Sequence, residues 1–191
     1  QDITRELAAN AKAVMACGGD WAYEIVSHKV DGKTLFMPVN PDLKFSVGAN
    51  AYYDERNIAE ALRKMKAGDY HIEDLIRLAV ERNGRRVQDA SCVVFIGERV
   101  RDDMSSQYVE YRGIREKTKS SGMLVATPAG STGWYDSEYY FSHRQHGNIP
   151  KAEGYARFLL TAPYPPGKRY SCAGGDLMKG EEIIITSLND N

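Results

Sequence analysis

The stretch "AVMACGGD", Ala13 to Asp20, restricts the fold of this chain more than any other. An unbroken run of small and apolar residues stops on two glycines and a carboxylate. A continuous apolar run of that kind fits a strand buried on both faces, as in a parallel sheet. Before it, "DITRELAANAK" at 2–12 reads as a helix, with Ile3, Leu7, Ala8 and Ala11 on one face and Asn10 or Lys12 at its end. After it comes a second apolar run, "TLFMPVN" at 34–40. Helix, buried strand, glycine turn, helix, buried strand is the order of a Rossmann-like α/β unit.

The pattern changes after residue 52. "ERNIAEALRKMKAGDY" holds one amphipathic helix, with Ile58, Ala61, Leu62 and Met65 on a stripe and Gly68 near its end. "HIEDLIRLAVERNGRRVQDASCVVFIGE" then alternates apolar and polar residues, and Asn83-Gly84 is a hairpin-turn signal. "QYVEYR", "GMLVATP", "YARFLLTAP" and "EEIIITS" add strands, so the second half reads as an antiparallel β-sandwich. The expected division is 1–52 for a partial Rossmann-like unit and 53–191 for the β domain. The segment 137–154 has no period and reads as a loop or interrupted helix. "AGGD" at 173–176 reads as a hairpin turn.

The totals exclude several classes of function. A formal net charge of -1 implies no global attraction to nucleic acid or to a membrane surface. No apolar run approaches the roughly 18 residues of a membrane span, and no signal-peptide pattern stands at the N-terminus. Three widely spaced cysteines, Cys17, Cys92 and Cys172, fit reduced thiols in a cytoplasmic setting, and none has zinc spacing with histidine.

Two loops have the chemistry of a ligand site. At Gly18-Gly19-Asp20, glycines at a strand's C-terminal end let backbone N–H groups approach a phosphate. A carboxylate there could accept a proton or hold magnesium; a tight turn with a capping Asp is the plain alternative. In "LVATPAGSTGWY", Leu124 to Tyr135, a strand runs into Pro128, Gly130 opens the backbone, Ser131 and Thr132 supply hydroxyls, and Trp134 supplies a flat apolar face. An ordinary turn would have the same local composition. Asn40 ends the second strand, either to contact a ligand or as a turn residue before Pro41. Arg112, Arg115, Lys117 and Lys119 read as a solvated strand face or hairpin, with phosphate or polyphosphate attraction second. His28, His71, His143 and His146 read as surface residues, Cys92 as a core cysteine, and Glu98 as a residue that caps or pairs at a strand end.

Taken in order, "ACGGD", "PVNPDLKFSVGAN", "RKMKAGDYHIEDLIRLAVERNGRR", "VVFIGE" and "KSSGMLVATPAGSTGW" resemble the NAD kinase family. "VFIGE", "KSSG" and Trp134 lean toward its mitochondrial-type branch and bacterial relatives. The resemblance covers most of residues 12–187. It implies an α/β plus all-β fold, a Rossmann-like unit followed by a β-sandwich, and phosphorylation of the NAD 2′-hydroxyl by ATP or polyphosphate with Mg²⁺. It implies Asp20 as the catalytic base or metal partner, and Gly18, Gly19, Asn40, Thr127, Gly130, Ser131, Thr132 and Trp134 as substrate-binding residues. A cytoplasmic homodimer or homotetramer is the expected state. The chain is short at both ends for that family. Part of the Rossmann-like unit is thus expected before Gln1, and closing sandwich strands after Asn191.

The chain departs from the family pattern at three places. Trp21 stands where the family has a fourth loop residue, Gly, and an indole sits poorly against phosphates. Cys92 and Val93 stand at the family's Asn-acid pair and cannot hydrogen-bond a ribose as that pair does. Ala129 lacks the hydroxyl of the usual Thr. A nucleotide-binding member without catalysis is therefore the competing reading. A lipid kinase of the same superfamily is a third, against which "TPAGSTGW" and "AGDYHIED" argue.

Overall fold

The computed structural model describes residues 3–100 and 103–189. They form two compact units. One takes the chain up to Asp74 together with Ala79–Ser91, and the other takes Leu75–Leu78 together with Cys92 onward. Residues 53–74 and 79–91 thus group with the first unit. The change of pattern at residue 52 is a change of element type inside that unit.

In the first unit, α1 (Arg5–Ala9) opens on Thr4, whose hydroxyl accepts the Leu7 N–H at 3.2 Å, and closes at Asn10. Asp2, in the expected first turn, lies outside the described residues. β1 (Ala13–Cys17) leads through the glycine turn into α2 (Asp20–Ser27) and then β2 (Leu35–Asn40). β1 and β2 pair in parallel from Ala13↔Leu35 to Cys17↔Val39, and β3 (Tyr53–Asp54) extends the sheet beside the end of β2. Ala8, Val14 and Val30 form the core, with Val26 and Phe36 packed on it. Burial of β1 on both faces is not observed. Val14 and Ala16 are buried while Met15 is 40% exposed, because α1 and α2 contribute to the one cluster that includes Val14.

α3 (Ile58–Ala67) carries the expected stripe, all of it half-buried, and ends on Gly68 at φ 77, a left-handed cap that glycine adopts without strain. The expected strands at 71–80 do not form: apart from a bridge at Leu78, the segment has no regular structure. Its apolar alternation instead sets Ile76 and Leu78 against the core of the second unit. β4 (Glu81–Arg82) and β5 (Arg85–Arg86) do form the hairpin, with Asn83 at φ 52 and Gly84 at φ 71.

The second unit is a sandwich. Its larger sheet runs in the order β11-β10-β9-β6, from β6 (Val93–Ile96), β9 (Gly122–Ala126), β10 (Ala156–Thr161) and β11 (Gly174–Leu177). Its smaller sheet, β12-β7-β8, comes from β7 (Ser105–Tyr111), β8 (Ile114–Ser120) and β12 (Ile184–Ser187). All of these pairings are antiparallel. Burial in β7 alternates strictly, the mark of a strand with one face in a core. Val109 and Tyr111 meet Met123, Val125, Phe158 and Leu160 there. Each fully buried side chain of that size stabilises the fold by roughly 1.5–3 kcal/mol.

β9 is buried on both faces because a second cluster, of Leu124, Ala126, Leu159 and Tyr135, covers its other side. Tyr135 belongs to α4 (Trp134–His143), so the segment from 137 begins as helix and only beyond Arg144 becomes loop. The stretch "AGGD" is not a turn. Gly174 to Asp176 lie in β11, where Cβ atoms would crowd the Phe158 carbonyl and ring, so small residues permit close pairing with β10. No helix among the described residues is long and apolar enough to cross a membrane.

Candidate functional site

Gly18, Gly19, Asp20 and Asn40 come together in the first unit, at the C-terminal ends of β1 and β2. Gly18 extends the sheet by donating its N–H to the Val39 carbonyl at 2.9 Å. Its φ of 149 and the Ala22 Cβ, 2.6 Å from where a Gly18 Cβ would stand, both demand glycine. Asp20 opens α2. One carboxylate oxygen accepts the Asn50 N–H at 2.8 Å and the other accepts the Ala49 N–H at 3.2 Å. Asn40, 2% exposed, donates to the Ser46 carbonyl at 2.9 Å and accepts the Asp42 N–H at 3.1 Å.

The loop 41–50 is therefore fastened at both ends to the residues that sequence singled out for a ligand. Ser46 itself lies against Gly19. Gly48, at φ 56, lets the chain pass within 2.3 Å of the Asn40 amide nitrogen, measured from the site of a Cβ. Ser46, Ala49 and Asn50 were missed from sequence; Pro41-Asp42 and Gly48 were the available signs of a structured loop. Trp21 occupies the second position of α2 in helical geometry and points outward, 74% exposed, so the turn does not strain it.

Thr127, Gly130, Ser131, Thr132 and Trp134 come together in the second unit, where β9 passes through a 3₁₀ turn (Ala129–Thr132) into α4. Most of their polar atoms turn inward. Thr127 is 0% exposed; its hydroxyl donates to the Cys92 carbonyl at 3.1 Å and accepts the Gly130 N–H at 3.2 Å. A Cβ on Gly130 would stand 2.1 Å from the Cys92 carbonyl oxygen, so this glycine serves chain packing. Ser131, also 0% exposed, donates to the Pro128 carbonyl and accepts the Ile149 N–H, each at 2.8 Å. Thr132 is half-buried. The Trp134 ring rests on Phe95 at 5.1 Å between centroids, and its indole N–H donates to Glu138 at 3.2 Å. Burial, the larger cause, holds the Tyr135 phenol above its ordinary pKa.

The remaining candidates are mostly engaged. Cys92 is buried, as expected of a core thiol. Arg112 forms a two-pronged pair with Glu181, and Arg115 pairs with Glu110. His143 and His146, expected to be plain surface residues, have partners. The His143 ring stacks on Tyr139 at 4.1 Å and the His146 Nδ1 lies 2.9 Å from Asp136. Glu98 accepts the Ser105 hydroxyl at 3.1 Å.

No family model matches the chain. Curated relatives do. An NAD kinase of Thermoplasma acidophilum is 32% identical over 110 residues, 55% of this chain and 40% of the relative. An NAD kinase of Pyrococcus abyssi is 27% identical over 139 residues, 70% of this chain and 48% of the relative. The chain thus spans about half the length of the curated relatives it matches. Among solved structures, yeast NADH kinase complexed with NADH superposes with a TM-score of 0.72 at 13% identity, covering 93% of this chain and 50% of that one. An NAD kinase from Archaeoglobus fulgidus in complex with ATP superposes with a TM-score of 0.70 at 16% identity, covering 96% of this chain and 68% of that one. The chain is thus similar in sequence to several NAD kinases and shares its fold with NAD and NADH kinases.

Proposed function

We propose that this chain belongs to a phosphotransferase that moves the terminal phosphoryl group of ATP or polyphosphate onto the 2′-hydroxyl of NAD, giving NADP. The observation that carries the reading is Asp20, set by the Gly18-Gly19 turn at the start of α2, beyond the C-terminal end of a parallel strand. In the transfer, the 2′-oxygen forms a bond to the terminal phosphorus and the bond to the leaving phosphate oxygen breaks. The hydroxyl proton passes to Asp20. Each oxygen of a carboxylate has about two lone-pair sites, so bonds from Asn50 and Ala49 leave room for a substrate hydroxyl.

Magnesium would enter with the phosphates of the donor and neutralise the developing charge. Among the described residues, no group of three or more His, Cys, Asp or Glu could hold a metal ion without such a partner. Thr132 and the backbone of the 3₁₀ turn would meet the dinucleotide, while Thr127, Gly130 and Ser131 shape that turn from inside. The same reading carries a cytoplasmic homodimer or homotetramer. It is tested on the whole protein by NADP formation with ATP and Mg²⁺. Asp20→Asn should lower kcat by about 10²–10⁴ for loss of a general base. Equal turnover by Asp20→Asn and wild type would sink it.

A second reading, nucleotide binding without transfer, draws on Trp21 and on Cys92-Val93 at the position of the family's polar pair. Calorimetry separates the two: NAD binding with no NADP formed supports the second reading, and normal turnover ends it.

A further inference from the structure

We propose that Asp136 is a positioning residue for the dinucleotide loop, acting through a clasp that the segment His146–Ile149 closes on the 3₁₀ turn. This rests on the NAD-binding reading of that loop. Asp136 sits in the first turn of α4 with its side chain 17% exposed. Oδ1 accepts the Gly147 N–H at 2.7 Å, and Oδ2 lies 2.9 Å from the His146 Nδ1. With its amide oriented to satisfy its neighbours, Asn148 donates both to Asp136 Oδ1 at 3.0 Å and to the Ser131 carbonyl at 2.9 Å. The Ile149 N–H donates to the Ser131 hydroxyl at 2.8 Å, and the Ile149 side chain is 2% exposed.

One carboxylate thus gathers three consecutive residues, and two members of the same segment bind both oxygens of Ser131. Two further contacts fix the segment. Gly147 lies against the Tyr139 ring, where a Cβ would come within 2.6 Å, and the Gly147 carbonyl accepts from Arg157 at 3.4 Å. A four-residue 3₁₀ turn has poor hydrogen-bond geometry of its own. Its shape is therefore set by what holds Ser131, and with it the direction in which Thr132 and the adjoining backbone face a ligand. The His146 arm, 71% exposed, adds least, as solvent-exposed ion pairs do. Gly147 and Ile149 are the buried part of the clasp, and Asp136 is half-buried beside them.

The experiment uses the whole chain and three variants, Asp136→Ala, Asp136→Asn and Asn148→Ala. Asp136→Ala should raise the KM for NAD about tenfold, with kcat and the KM for ATP within about twofold of wild type. Asp136→Asn keeps an acceptor for the Gly147 N–H and should recover most of that loss. Asn148→Ala removes only the link to Ser131 and should raise the KM for NAD as well, so the test stands even where Asp136→Ala does not fold. Amide exchange should quicken at Ser131 and Ile149 together in Asp136→Ala or Asn148→Ala. An unchanged KM for NAD, or exchange that quickens at Gly147 alone, overturns the proposal. If wild type neither binds nor phosphorylates NAD, the phosphotransferase reading falls separately, and exchange at Ser131 and Ile149 still decides the clasp.

Discussion

The hydroxyl of Ser46 lies 2.3 Å from the point where a Cβ on Gly19 would stand. The space that the second glycine opens beside α2 is taken by a side chain of the loop that follows β2. Gly19 has φ -77 and ψ -163, a backbone that any residue can adopt. The demand for glycine here is therefore one of room alone.

That distinction can be measured. Gly19→Ala should destabilise the chain by about 1 kcal/mol or less, because only the Ser46 hydroxyl has to swing aside. Ser46→Ala removes the obstructing oxygen and leaves a Cβ at 3.4 Å, so it should restore most of the loss. A double-mutant cycle by urea unfolding reads the coupling, and additive effects would contradict the contact.

Gly130 differs because its neighbour is backbone. A Cβ would meet the Cys92 carbonyl oxygen at 2.1 Å, and no side-chain change can relieve that. Gly130→Ala should cost at least about 2 kcal/mol in thermal unfolding, and no substitution at Cys92 should rescue it.

Acid should loosen the first unit through Asp54. Hydrogen bonds from the Arg56 guanidinium, then from its backbone N–H, hold this carboxyl below the usual carboxylate range. A folded pKa below the unfolded one means that the stabilisation is fully present above the ordinary Asp range. It is lost as pH falls through the depressed folded value. Asp54→Asn should flatten the acid limb of stability against pH, and an unchanged limb would assign it to other carboxyls.

The thiols should separate by reactivity. Cys17 is exposed, whereas burial, then the nearby Glu116, pushes the Cys172 thiol up. A thiol reagent at neutral pH should label Cys17 rapidly and Cys172 only on unfolding, since the thiolate is the reacting species. Mass spectrometry of the labelled peptides reads the order.

Much of the architecture could be read from local pattern. The two apolar runs around Gly18-Gly19 form the parallel pair, Gly68 ends α3, and Asn83-Gly84 makes its hairpin. In each case the determinant lies within a few residues of the element it shapes, as side-chain period or as permitted φ. The stretch at 71–80 failed that test because alternation also suits a single extended segment laid on a core, as Ile76 and Leu78 show. At "AGGD" the same glycines serve a turn or a closely paired strand, and only the position of β10 decides between them.

By itself, then, the sequence determined the parallel pair, the end of α3, the Asn83-Gly84 hairpin and which two loops have ligand-like chemistry. Tertiary structure decided which atoms of those loops remain outward. Thr127 finds its acceptor at Cys92, and Ser131 finds its donor at Ile149, both distant in sequence. A hydroxyl carries no local sign of the partner it will take, because a buried polar group must be satisfied by whatever the fold brings beside it. Asp136 illustrates the converse: a carboxylate that the sequence did not single out becomes the point where His146, Gly147 and Asn148 are held.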